Sequence, residues 1–140
     1  LELFGRPERV RIDSQFLSSG AHATGDVLLA YPGCHVSISY SKVGQNRLGS
    51  QIIGDEGTLT IDSISQLTGM NLHHKDGSVT PVWGDEAKNT LMGAEARDFY
   101  RYITEPDATR AEYAICQERA LQVCELLETL RHEAGIRFIE

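Results

Sequence analysis

The sequence predicts an α+β fold: a mainly antiparallel open sheet of six or seven strands, with two C-terminal helices packed on one face. Three observations carry this. Between residues 8 and 82, short runs alternate apolar and polar residues with period two and are separated by hairpin-length turns. At the centre, Ile52-Ile53 and Leu59-Thr60-Ile61 meet at Gly54-Asp55-Glu56-Gly57, a turn between two β-rich runs. From Gly93 to Gly135 the apolar period lengthens to that of helices, and strands and helices so segregated define the α+β class. A chain of 140 residues suits one domain, 1–140.

In order, Leu1-Glu2-Leu3-Phe4-Gly5 reads as the last turn of a helix closed by glycine, with Pro7 preventing continuation. One turn does not hold together alone, so a preceding portion of this helix is expected. Glu8 to Leu17 is a strand with Val10, Ile12 and Phe16 on one face and Arg9, Arg11, Asp13 and Gln15 on the other. A second strand runs from about Gly25 to Tyr31, before the turn Pro32-Gly33. The third, Cys34 to Val43, alternates Val36, Ile38 and Tyr40 against His35, Ser37, Ser39 and Ser41. A loop over Gly44–Gly49 precedes the central hairpin. A further strand pair is expected over Ile64–Val82, broken at Lys75-Asp76-Gly77-Ser78.

Trp83 to Leu91 is polar and irregular. A helix is expected from near Gly93, with Met92, Ala96, Phe99 and Ile103 on one stripe, ending at Glu105-Pro106-Asp107. The last helix is expected to open on a capping box, Thr109 to Glu112, with Ala114, Leu121, Cys124, Leu127 and Leu130 as its apolar stripe and Gly135 as its end. Ile136 to Ile139 is read as a final strand.

The charge balance, 13 basic against 20 acidic residues for a net −7, argues against nucleic acid and anionic membrane as partners. No apolar run reaches the roughly 20 residues of a membrane span, and no signal-peptide pattern opens the sequence. Three cysteines make no disulfide framework, and Cys116 and Cys124 lie about 12 Å apart along a helix, too far to bridge. Both are read as small core residues. The expectation is a reduced, cytoplasmic protein.

Catalytic machinery is not in evidence. His73 and His74 are adjacent on a strand and leave opposite faces, while His22 is placed in a loop, His35 on a strand and His132 near a helix C-terminus. Nothing has metal-ligand spacing. The pairs Asp55-Glu56 and Asp85-Glu86 sit in turns and read as solvated charge. A Gly-x-Ser-x-Gly elbow, a phosphate loop and a Gly-x-Gly-x-x-Gly fingerprint are all missing from the sequence. No catalytic, cofactor-binding or metal residue is assigned.

One surface does point to a role. His35, Ser37, Ser39, Ser41, Thr58 and Thr60 are assigned to the second face of the sheet, polar yet without Lys or Glu. Short hydroxyl side chains in place of long charged ones resemble the core of an interface more than a solvated face.

Several stretches, taken together and in order, carry a family likeness. They are Leu3-Phe4-Gly5-Arg6-Pro7-Glu8-Arg9-Val10, Ile53 to Leu59, Glu95-Ala96-Arg97-Asp98-Phe99, Ala120 to Val123, and Leu130 to Gly135. Their order and spacing resemble the C-terminal domain of the glucose–fructose oxidoreductase/inositol dehydrogenase (Gfo/Idh/MocA) family of NAD(P)-dependent oxidoreductases. The resemblance implies an N-terminal Rossmann domain holding NAD or NADP, and a C-terminal domain lending a wall to the substrate pocket and the surface for homo-oligomers. It implies hydride transfer between the nicotinamide and a sugar, inositol or related polyol carbon. The family's Glu-Lys-Pro lysine and Asp/His helix are not found here, so no catalytic role carries over. By position, the loop ahead of the central hairpin would line the substrate, which selects Lys42, Gln45, Asn46 and Arg47. The competing reading is a self-contained small-molecule-binding module, which requires a sizeable apolar cavity beneath the helices.

Overall fold

A computed structural model describes residues 1–83 and 87–137. The elements are β1 (Arg9–Phe16), β2 (His22–Tyr31), β3 (Cys34–Ser41), β4 (Ser50–Ile53), β5 (Gly57–Ile61), β6 (Met70–His74), β7 (Val79–Trp83), α1 (Lys88–Thr104) and α2 (Pro106–Glu133). All strand pairs are antiparallel, and the α+β class follows as the alternation indicates. The strands divide into two sheets, ordered β1-β2-β3 and β4-β5-β6-β7. The chain forms two compact units, Leu1–Asn46 with Ala108–Glu140, and Arg47–Asp107.

In the first unit β2 is the central strand. Val27, Leu29 and Tyr31 are buried, and Val10 and Ile12 of β1, Val36 and Tyr40 of β3, and Leu126 and Leu130 of α2 pack against them. Full burial of such a side chain contributes about 1.5–3 kcal/mol, so this cluster is what joins helix to sheet. The stripe expected on α2 is only partly the one used. Leu130 packs inward, but Leu121 and Leu127 are 61% and 60% exposed, and Leu126 takes the inward place. Leu126 and Leu130 are four apart and share a face, which turns Leu121 and Cys124 away from the sheet. Cys116 and Cys124 are exposed thiols, not core residues.

The N-terminal turn lies along this helix. The Gly5 N–H donates to the Leu1 carbonyl at 2.8 Å, Phe4 meets Tyr31 with ring centroids 5.7 Å apart, and ion pairs join Glu2 to Arg119 and Arg6 to Glu125. The start of α2 differs from expectation. The helix begins at Pro106, so Thr109 falls inside the first turn, 2% exposed, and is not a cap. Proline is well suited to a first helical position, where its missing N–H would have no partner, and Asp107 beside it complements the helix dipole.

The end of α2 is as the glycine indicates. Gly135 has φ +70°, its N–H donates to the His132 carbonyl at 3.1 Å and that of Ile136 to Arg131 at 3.1 Å, a Schellman closure. Arg131 reinforces it, donating from Nε to Glu128 at 2.8 Å and from Nη1 to the Ile136 carbonyl at 2.9 Å. This arginine, with His132 beside it, holds the Glu128 carboxyl down at about 2. Ile136 and Arg137 form no strand, and Phe138 and Ile139 lie outside the described residues.

In the second unit the central hairpin forms as read: the Gly54 N–H donates to the Gly57 carbonyl at 2.9 Å, and Ile52 stands opposite Leu59. Ile61 is its buried apolar residue among those described. The strand expected from Ile64 begins only at Met70. Residues 64–67 turn instead, closed by a bridge between Ser63 and Thr68, with Leu67 at φ +53°. The β6–β7 hairpin turns on Asp76, whose Oδ1 accepts from the Ser78 N–H at 2.8 Å and its hydroxyl at 2.6 Å. Those two bonds lower the Asp76 pKa from its ordinary value. Helix α1 begins at Lys88, earlier than the apolar stripe alone indicates, and stops at Thr104, two residues before Pro106. Met92, Phe99 and Ile103 of its stripe are 54%, 66% and 64% exposed. The Asp85-Glu86 pair lies outside the described residues.

Candidate functional site

Strand alternation sends Val27 and Leu29 inward and the residues between them outward, and the register then fixes which outward residues stand side by side. Across β1, β2 and β3 four rows result: Arg9–Ala30–His35, Arg11–Leu28–Ser37, Asp13–Asp26–Ser39 and Gln15–Thr24–Ser41. The two middle rows line an open depression of about 470 Å³. Within it Ser39 donates to Asp26 at 2.6 Å, and Arg11 pairs with Asp13 at 3.2 Å. Leu28 forms its apolar centre, 43% exposed. Asp13 and Asp26 stand directly opposite one another, an arrangement of like charges that is unfavourable without a cation between them.

The predicted interface residues separate here. His35, Ser37, Ser39 and Ser41 share the outer face of the first sheet, whereas Thr58 and Thr60 belong to β5 in the second. Nor are the four alone on their face, since Arg9, Arg11, Asp13 and Asp26 stand among them. Ser41 has a local task as well: its hydroxyl oxygen accepts from the amides of Val43 at 3.2 Å and Gly44 at 2.9 Å. On the second sheet Thr60 Oγ1 lies 3.1 Å from His73 Nε2 and donates to the Asn71 carbonyl at 3.4 Å. His74, leaving the other face, is 3.0 Å from the Thr80 hydroxyl, so the adjacent histidines diverge as expected.

The loop residues chosen by position are all exposed. Lys42, Gln45 and Asn46 fall in the first unit and Arg47 in the second. The Lys42 amide donates to the Ala23 carbonyl at 2.8 Å, anchoring the start of the loop to β2.

One cluster escaped sequence reasoning. His22 is the first residue of β2, not a loop residue, because a register shift at Gln15/Phe16 extends the strand. Its Nε2 is 3.2 Å from the Ser14 hydroxyl and 3.3 Å from that of Tyr40, and its ring lies between those of Phe16 and Tyr40, at 5.4 and 5.6 Å. Gly25 was the available signal. A glycine within a strand marks a close approach, and here the Tyr40 phenol crosses it.

No group of three His, Cys, Asp or Glu among the described residues is placed to hold a metal. Gly54–Gly57 leads into a strand, not a helix N-terminus, and the first turn of α2 carries Asp107, which repels phosphate. No helix among the described residues is long and apolar enough to cross a membrane.

The arrangement is that of an α+β domain built on antiparallel sheets, and the chain resembles a portion of an oxidoreductase of the glucose–fructose oxidoreductase/inositol dehydrogenase type. Two relatives carry the likeness. The scyllo-inositol 2-dehydrogenase (NADP(+)) IolU of Bacillus subtilis is 29% identical over 134 residues, 96% of this chain and 40% of that protein. The uncharacterized oxidoreductase YgjR of Escherichia coli is 27% identical over 136 residues, 97% of this chain and 40% of its own length. The chain therefore spans well under half the length of the curated relatives it matches. No family model matches it.

Proposed function

We propose that this chain is the non-catalytic part of an NAD(P)-dependent dehydrogenase acting on a sugar- or polyol-type alcohol. The observation that carries the proposal is the match over 96% of the chain to 40% of a scyllo-inositol dehydrogenase that uses NADP(+). In this reading a Rossmann domain in the rest of the same protein holds the nicotinamide cofactor, and the proton-transfer groups also belong to that remaining part. This chain supplies part of the substrate wall through Lys42, Gln45, Asn46 and Arg47, and an oligomer interface through the outer face of its first sheet. The protein works in the cytoplasm as a homo-oligomer, without a nucleic acid or membrane partner.

The test compares the 140-residue chain with the protein of the complete reading frame. The complete protein reduces NADP(+) or NAD(+), followed at 340 nm, with scyllo-inositol or a related polyol. The chain alone leaves NADPH fluorescence unchanged. A complete protein inactive on every polyol with both cofactors overturns the dehydrogenase reading, and tight NADPH binding by the chain alone overturns the division of labour. In the active protein Asn46→Ala and Arg47→Ala raise KM for the polyol and leave KM for the cofactor unchanged. Unchanged polyol KM in both variants removes this loop from the pocket.

A further inference from the structure

Helix α1 is poorly supported by its own sequence. Its N-cap position is Ala87, which makes no side-chain hydrogen bond, and its first turn opens on Lys88 and holds no acidic residue. Alanine offers no oxygen to the free amides there, and a lysine opposes the helix dipole. Gly93 lies inside the helix, where the missing side chain raises the entropy lost on ordering. Helices in proteins draw most of their stability from packing an apolar face. Helix α1 nevertheless buries none of its residues in this chain. Leu91 and Tyr102 are half-buried on one side, and Met92, Ala96, Phe99 and Ile103 stand exposed beside them. Spacings of four, three and four set those residues in one stripe. The ion pair of Arg101 with Asp98, at 3.1 Å, lies off it.

We propose that this stripe is a seam to the rest of the same polypeptide: an apolar patch of the portion outside these 140 residues covers Met92, Ala96, Phe99 and Ile103. The proposal rests on the reading that the chain is part of a longer protein, and it adds where the two parts join. The match takes in 96% of this chain and 40% of the inositol dehydrogenase, so more than half of that relative has no counterpart here. Size favours a tethered occupant over a second copy. From Met92 to Ile103 the stripe is about 17 Å long and roughly 10 Å wide, or roughly 170 Å², against the ~800 Å² per partner of a stable complex. A tethered partner needs no such area, because the connection sets its effective concentration. The net charge of −7 opposes self-association further.

Alanine substitution separates a packed stripe from a bare one by sign. Phe99→Ala and Ile103→Ala each raise helix propensity, so in a bare helix they tighten α1 slightly. In a packed seam the same changes remove contacts and leave a cavity, which outweighs propensity and loosens α1. Arg97, on the opposite side, is already a good helix former, so Arg97→Ala is neutral in either case.

The experiment is amide hydrogen exchange, read by mass spectrometry on peptides covering residues 92–103, in the protein of the complete reading frame. Phe99→Ala and Ile103→Ala each speed exchange across α1 at least about tenfold and leave β2 unchanged, whereas Arg97→Ala alters neither. In the 140-residue chain, at about 10 and about 500 µM alike, α1 is weakly protected and neither stripe variant speeds its exchange. A complete protein in which α1 is unprotected, or in which the stripe variants act no more than Arg97→Ala, overturns the seam. Protection in the 140-residue chain that grows with concentration gives the stripe to a second copy, and strong protection there at both concentrations gives it to packing within the chain; either result overturns the proposal. The readout needs no activity. A complete protein inactive on polyols but loosened by the stripe variants keeps the seam and loses the dehydrogenase reading, and an active one with α1 unprotected does the reverse.

Discussion

Adding a single methyl group at Gly25 tests the packing of the first sheet. A Cβ there would lie 2.4 Å from the Tyr40 hydroxyl oxygen and 2.6 and 2.7 Å from two of its ring carbons. Two effects oppose each other in Gly25→Ala. Restricting the unfolded chain stabilises by about 0.4–1 kcal/mol where the backbone accepts alanine, as it does here at negative φ. Overpacking against a ring held by the core cluster costs about 1–3 kcal/mol. Displacing that ring also weakens the hydroxyl contact to His22, a loss of about 0.5–1.5 kcal/mol for a hydrogen bond. The net expectation is destabilisation by about 0.5–4 kcal/mol, the overpacking term being the larger. Removing the ring separates the effects: in a Tyr40→Ser background the same Gly25→Ala becomes stabilising by about 0.4–1 kcal/mol. Urea unfolding followed at 222 nm reads both backgrounds, and the sign reversal is the diagnostic. Gly25→Ala that stabilises the wild-type chain, or shifts both backgrounds alike, shows that Tyr40 does not lie over Gly25.

Two further expectations concern α2. The Glu128 carboxyl titrates at about 2 in the folded chain against an ordinary 4.5, so the stability it contributes is complete above 4.5 and is lost as pH falls towards 2. Amide exchange at Ile136, followed by NMR, is therefore flat in protection from neutral pH to about 5 and weakens below it; in Glu128→Gln that acid-dependent component disappears, and an identical profile in the variant refutes the clamp. Leu130→Ala, which removes a side chain from the core cluster, destabilises by about 1–3 kcal/mol given its partial burial. Leu127→Ala, one position from Leu126 yet 60% exposed, changes stability by less than about 0.5 kcal/mol in the same urea assay, and equal losses at the two sites would show that the helix is turned differently.

What was legible in the sequence was local, and what was not depended on register and helix phase. Val36, Ile38 and Tyr40 against Ser37, Ser39 and Ser41 needed only the pleat, and Gly135 needed only the backbone conformation that ends a helix. The start of α2 was misread because Thr109 and Glu112 satisfy a capping pattern that Pro106 pre-empts three residues earlier, and a proline-first helix leaves no cap for threonine to make. The apolar stripe of α2 was misread for another reason. Apolar residues lie on several sides of this helix, so periodicity alone does not choose between Leu121–Leu127 and Leu126–Leu130. Contact with Val27, Leu29 and Tyr31 makes that choice, and those residues are some hundred positions away in the chain. The outer face shows the same limit most clearly. Alternation marks Asp13, Asp26 and Ser39 as outward, but only the β1–β2 and β2–β3 registers put them in one row, and a one-residue slip in either ladder would scatter them across two faces. The sequence could therefore group Ser39 with Thr60, which lies in the other sheet, and overlook Asp26, which lies beside it. The pairing of Asp13 with Asp26 is thus a property of strand register, which no reading of either residue taken singly supplies.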